Sequence, residues 1–448
     1  MEMTLYTTEF IGGKARESQS RALFAEDTEG VEKCLINIHP EVQYQTIDGF
    51  GGAVTESACY VLSKLSPEKR DEVLEGYFGK SGIGYSHIRT HIDSCDFSLG
   101  HYSAVVDEND TGLKSFSISH DEALMIPAIK RAQELNGKPL GVLLSPWSPP
   151  AFMKMNGERN NGGSLKKEYY PLWAEYICHY VEAYRANGIE VSMLTIQNEP
   201  KAVQIWDSCV YTAEEEREFL KGHLHPALVR HGLGSIQVYV WDHNKERVFE
   251  RACELIGPDT DAMIGGVAFH WYSGDHFEAL RMTRERFPEK KLMFSEGCVE
   301  IAGANVATGT VLQNAQQYAH DIIGNLNNGM NLFLDWNIAL DERGGPNHVD
   351  NVCDAPVRCD TQNGTYTKNL SFYYIAHFSR YIRPGAKAIG FSRYTDGIEV
   401  TAAKNTDGSI AAVLLNKGSQ ARDVVMRIQG KTAAAVIPAG SIATALIV

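Results

Sequence analysis

Eight short apolar runs divide the first three quarters of the chain, and each ends on polar or aromatic side chains. They are IDGFGGAVTE (47–56), IGYSHIRTH (83–91), PLGVLLSPW (139–147), VSMLTIQNE (191–199), SIQVYVWDH (235–243), MIGGVAFHWY (263–272), KKLMFSE (290–296) and GMNLFLDWN (329–337). Amphipathic stretches such as SPEKRDEVLEGYF, DEALMIPAIKRAQEL and PLWAEYICHYVEAYRAN lie between them, with caps or prolines near their starts. Short runs rich in Val, Ile and Leu, joined by helical crossovers, read as parallel strands buried on both faces. Eight such units predict an α/β fold, a closed (β/α)8 TIM barrel.

After residue 384 the texture changes. Short alternating segments are broken by TDG, NTDG, NKG and PAG, which are hairpin signals of an antiparallel β-sandwich. The early segment KCLINIHPEVQYQTI also alternates, so both chain ends are expected to build this module. The reading is a barrel over 46–384 and a β-sandwich side domain from 1–45 plus 385–448.

Charge and cysteine usage narrow the partners. A formal net charge of -14 argues against nucleic acid or anionic lipid and suits a small, neutral, soluble substrate. No window is apolar for the length of a membrane span, and the start MEMTLYTTEF lacks the basic and apolar regions of a secretory signal. Nine scattered cysteines, of which Cys353 and Cys359 are closest together, read as reduced thiols of a cytoplasmic protein. Nothing in the sequence speaks to oligomeric state.

Barrel enzymes keep their chemistry at the carboxyl ends of the strands. Here those ends carry Arg89, Trp147, Asn198 with Glu199, Asp242 with His243, His270 with Tyr272, Glu296, and Trp336 with Asn337. Two glutamates, an arginine and several aromatics at one mouth suit a sugar. Glycosidic cleavage needs an acid for the departing oxygen and a carboxylate facing the anomeric carbon. A carboxyl separation of about 5 Å gives retention and about 6.5–9.5 Å gives inversion, and sequence alone leaves that distance open. Other motifs are weaker. GFGGAV lacks the final glycine and acidic partner of a dinucleotide fingerprint. His87 and His91 lie in a predicted strand without a metalloprotease glutamate, no G-x-S-x-G is present, and Cys298 suits barrel packing.

The segments GFGGAVTESA, IRTHIDSCDFS, SPWSPPAFMKMNG, GGSLKKEYYPLWAEY, TIQNEP, HWY, FSEGC and DWNIAL with GGPNH closely resemble glycoside hydrolase family 30, which contains the lysosomal glucosylceramidases. The resemblance runs from about residue 46 to 384 in the same order. It implies the same two-domain fold and retaining hydrolysis of β-glycosides. On it, Glu199 matches the general acid/base, Glu296 the nucleophile, Arg89 the cation beside them, and Asn198 the ligand of the sugar 2-hydroxyl. Tyr272 is expected to donate to Glu296, with His270 supporting the same wall. Asp96 and Trp147 match residues that grip the outer hydroxyls, Trp336 a face for the ring, and Asn347 a residue near the hydroxymethyl. Burial beside a second carboxylate is expected to raise the Glu199 pKa, while Glu296 stays ionised.

The glucose-gripping matches imply an exo-acting β-glucosidase needing no metal or organic cofactor. β-Xylosidase, β-fucosidase and endo-β-1,6-glucanase activities are alternatives within the family. A sugar-binding barrel without chemistry is the non-enzyme alternative, and the glutamate pair argues against it.

Overall fold

The computed structural model describes residues 1–301 and 308–448. Each of the eight apolar runs forms a strand: β1 (Gly49–Ala53), β2 (His87–Ile92), β3 (Gly141–Pro146), β4 (Val191–Thr195), β5 (Gln237–Asn244), β6 (Gly266–His270), β7 (Lys291–Glu296) and β8 (Met330–Asp335). They pair in parallel and close, with β8 hydrogen-bonded to β1. Leu143, Met193, Tyr239, Ala268, Met293, Leu332 and Leu334 form a buried cluster contributed by strands of this barrel, so its interior is packed.

The glycines of GFGGAV serve that closure. A Cβ on Gly51 would lie 2.0 Å from the His87 carbonyl oxygen, so only glycine lets β1 approach β2 this closely. The crossover helices start and stop where the sequence signals them. Pro67–Phe78 is capped by Ser66, whose side chain accepts from the Lys69 amide. Ser119–Asn136 ends on Gly137 in the left-handed region.

The second module is a sheet of ten strands in the order Lys14–Leu23, Glu2–Ile11, Ser441–Ile447, Ile410–Asn416, Glu399–Lys404, Ala386–Arg393, Leu35–Ile47, Arg422–Ile428, Lys431–Ile437, Ala25–Glu26. It is the expected sandwich, with a core of its own that includes Met3, Leu5, Ile38, Val400, Leu414 and Met426. Both chain ends enter it: Leu35–Ile47 pairs with Ala386–Arg393, and Glu2–Ile11 pairs with Ser441–Ile447. His377, on the helix Leu370–Ser379, joins the two modules through contacts of 2.8 Å to Thr444 Oγ1 and 2.9 Å to Thr8 Oγ1. Burial drops its pKa to about 3, so the ring is a neutral linker. No helix among the described residues is long and apolar enough to cross a membrane.

Candidate active site

At the carboxyl end of the barrel, Glu199 (φ 47°), Trp241 (φ 76°), Asp242 (φ 49°) and Asn337 (φ 57°) are among the residues that adopt left-handed backbone, which side chains usually avoid. β4 stops at Thr195, earlier than the apolar run suggested, so Asn198 and Glu199 sit on a turn beyond it. That turn is pinned by Asn198 N–H to the Pro146 carbonyl (2.8 Å) and by Glu199 N–H to the Asp242 carbonyl (2.9 Å). The result aims Glu199 into a cavity of about 360 Å³ that Glu296, Asp96, Trp147, Trp336 and Tyr272 also line.

Arg89 organises the floor. Fully buried, it donates to Glu296 Oε2 (2.9 Å), Asp242 Oδ2 (2.8 Å), Asn198 Oδ1 (2.9 Å), Ser145 Oγ (3.1 Å) and the Ser295 carbonyl (3.0 Å). Its guanidinium also stands 4.8 Å from the Trp147 ring and 5.6 Å from the Trp336 ring. Those two indoles stack at 5.3 Å with an 18° interplanar angle and form one wall. A lysine has neither the fork nor the planar face for this set of partners.

Protons can be counted on His270. Its Nε2 lies 3.0 Å from Asp242 Oδ1 and its Nδ1 3.0 Å from Glu199 Oε1. Burial works against charge on Asp242, but Arg89, His270 and Ser295 outweigh it and hold its pKa at about 2. The proton on the Asp242 side therefore belongs to Nε2. A second proton lies on the Nδ1 to Glu199 line, as imidazolium or as glutamic acid. Although burial disfavours the imidazolium, Glu296, Asp242 and Glu199 raise the His270 pKa to about 9. At neutral pH the ring holds that proton.

This reverses the acidity expected from the sequence. Burial pushes Glu199 up, but His243, 3.6 Å away, and His270 pull it well below the usual carboxylate range. Burial, with Glu199 and Asp242 nearby, leaves Glu296 raised despite His270 and Arg89. Donors nonetheless meet both Glu296 oxygens, Arg89 at Oε2 and Tyr272 Oη at Oε1 (3.0 Å), which favours the carboxylate.

A family model described as the glycosyl hydrolase family 30 TIM-barrel domain matches residues 47–382, and the family 30 beta sandwich domain matches residues 385–445. The chain belongs to glycosyl hydrolase family 30. It is a glycoside hydrolase with glucosylceramidase-like relatives. The lysosomal acid glucosylceramidase of Mus musculus is 33% identical over 404 residues, covering 86% of this chain and 78% of that protein. An endo-1,6-beta-D-glucanase of Neurospora crassa is 28% identical, covering 86% of this chain and 82% of its own. Among solved structures, SrfJ from Salmonella typhimurium has a TM-score of 0.93 at 39% identity, covering 100% of this chain and 99% of that one.

In this family 30 site, seven of the residues given a role from sequence line the cavity, Asp96, Trp147, Asn198, Glu199, Tyr272, Glu296 and Trp336, as does His243 from the strand-end set. Arg89 and His270 stand behind the glutamates, fully buried. Asn347 is not on the cavity wall. Its Oδ1 accepts from the N–H groups of Val349 (3.0 Å) and Asn351 (3.2 Å), so it shapes the loop whose next residues line the cavity. Sequence reasoning gave no role to Asp242, the shared acceptor of Arg89, His270 and Ser295. Its only signal was its place at a strand end. It also missed Ile205, Trp206 and Cys298 on the cavity wall.

Proposed function

We propose that this hydrolase is a retaining, exo-acting β-glycosidase that releases a terminal β-glucosyl unit from small soluble glycosides by double displacement. The observation that carries the retaining reading is the position of His270 Nδ1, 3.0 Å from Glu199 Oε1 and 4.0 Å from Glu296 Oε1. The two carboxyl oxygens then lie no more than about 7 Å apart, short of most of the roughly 6.5–9.5 Å range that inversion uses.

In the first step a Glu296 oxygen bonds to the anomeric carbon as the glycosidic C–O bond breaks, and Glu199 passes a proton to the departing oxygen. That proton comes from His270 Nδ1 by way of Glu199, which leaves the ring neutral and Glu199 ionised; the proton taken from water in the second step returns to the ring. In the second step Glu199 takes a proton from water, whose oxygen bonds to the anomeric carbon and frees Glu296. Arg89 and Tyr272 hold Glu296 in line, and Asn198 meets the sugar 2-hydroxyl.

Support for exo action comes from the wall of stacked Trp147 and Trp336 and from Asp96 Oδ1, which is buried at the cavity without a hydrogen-bond partner among the described residues. A sugar's outer hydroxyls would satisfy it. The free state of all nine cysteines supports a cytoplasmic setting. An endo-β-1,6-glucanase reading is favoured by the relatives that carry that name.

Two measurements test this. A slow mechanism-based fluoroglucoside followed by peptide mass spectrometry should label Glu296, and a label on any other residue rejects the assignment. Initial rates on nitrophenyl β-glucoside, xyloside, fucoside and galactoside, with gentiobiose and β-1,6-glucan, should be highest for the glucoside. Activity confined to the polymer would overturn the exo reading.

A further inference from the structure

Three loops at the rim of the barrel bring together His101, Asp207 and His348, one metal-ligating atom from each lying within 4.8 Å of the others. The loops follow β2, β4 and β8. Asp207 Oδ2 is the centre, 3.1 Å from His101 Nδ1 and 3.6 Å from His348 Nε2. Two bonds of about 2.1 Å at a tetrahedral angle place ligand atoms about 3.4 Å apart, so this spacing already suits one ion.

The atoms behind these groups point the same way. His348 Nδ1 lies 3.2 Å from the Ser98 carbonyl, an acceptor, so that nitrogen carries the proton and Nε2 presents a lone pair. Among the described residues Nε2 nevertheless has no hydrogen-bond partner, on a side chain only 8% exposed, and it faces a carboxylate that is itself an acceptor. Two lone pairs facing each other need a cation or a proton between them. Asp207 is fixed through its other oxygen, which accepts from Arg159 Nε (2.7 Å) and Ser94 Oγ (3.0 Å), leaving Oδ2 for the ion. Such outer partners are what orient the ligands of metal centres. His101 is 43% exposed, which gives an entry path and room for a water as fourth ligand.

We propose that His101, Asp207 and His348 form a binding site for a divalent transition metal of the zinc class, separate from the catalytic carboxylates. Imidazole nitrogens with a carboxylate suit zinc better than calcium or magnesium. On binding, His101 gives up its Nδ1 proton, either by shifting it to Nε2 or by releasing it to solvent. The ion would tie together the loops bearing Trp206 and Val349–Asn351, which line the cavity, and so stiffen that part of the rim.

The test is calorimetric titration of Zn²⁺ into chelator-treated, tag-free full-length protein, with visible absorption of the Co²⁺ form as a second readout. The wild type should bind one equivalent, show tetrahedral cobalt bands and melt at higher temperature with zinc. His101→Ala, at an exposed position that should not disturb folding, should weaken binding by about 100-fold or more and lose the cobalt bands. His348→Gln should do the same. No saturable zinc binding by the wild type would overturn the proposal. So would binding that survives His101→Ala unchanged, which would assign the ion to the Glu199, His243 and His270 cluster instead.

Discussion

His270 Nδ1 stands 3.0 Å from Glu199 Oε1, and one proton is shared along that line. Because the ring's pKa is raised to about 9, the pair stays loaded with its proton through neutral pH and empties only as pH passes that value. The basic limb of the kcat/KM profile, which reports the free enzyme, should therefore fall near pH 9. In His270→Asn the store is gone and Glu199 must hold its own proton as a buried carboxyl. The basic limb should then move down toward the carboxyl range and the rate drop by about 10² or more. A variant with an unmoved basic limb would remove His270 from the proton path.

Arg89 is the counter-charge for two buried carboxylates, Glu296 at 2.9 Å and Asp242 at 2.8 Å. Removing one member of such a set leaves uncompensated charge in a dry site, a loss of about 3–5 kcal/mol. Arg89→Met should lose stability of that size in urea unfolding at neutral pH, and Arg89→Lys should recover part of it without recovering kcat. A stability change below about 1 kcal/mol in the Met variant would mean that His270 alone balances the site.

Gly51 tests the closure of the barrel. An added methyl would fall 2.0 Å from a backbone oxygen of the neighbouring strand, which has no side chain to swing aside. Gly51→Ala should destabilise by at least about 3 kcal/mol, at the upper end of overpacking effects, in a thermal or urea melt. A near-neutral result would show that β1 can slide away from β2.

The barrel was legible because its strands are buried on both faces and so print continuous apolar runs, while their polar ends mark the mouth. Two sandwich strands were hidden for two different reasons. Lys14–Leu23 (KARESQSRAL) is exposed along almost its whole length, and Glu2–Ile11 pairs with the far end of the chain. Site composition was readable, whereas its protonation was not: the low acidity expected of Glu199 is reversed by His243 and His270, which reach it from two other strands. Asn347 shows the same limit. Its motif is plain in the sequence, but the bonds that its Oδ1 accepts from its own loop are not.

Asp96 offers the sharpest test of sugar binding. Its Oδ1 is buried at the cavity without a hydrogen-bond partner among the described residues. Burial first, then Glu296 and Glu199, lift its pKa well above the usual carboxylate range, which favours the neutral acid. Hydroxyls of a bound sugar donate to its ionised form and favour it. Sugar binding should thus lower the Asp96 pKa and release a proton. Titrating a non-hydrolysable thio-β-glucoside at pH 7 in two buffers of different ionisation enthalpy should reveal that release as a buffer-dependent heat. Asp96→Asn should abolish that contribution and weaken binding by about 10- to 150-fold, the worth of one hydrogen bond to a charged group. Equal heats in both buffers for the wild type, or unchanged affinity in the variant, would take Asp96 out of the sugar's grip.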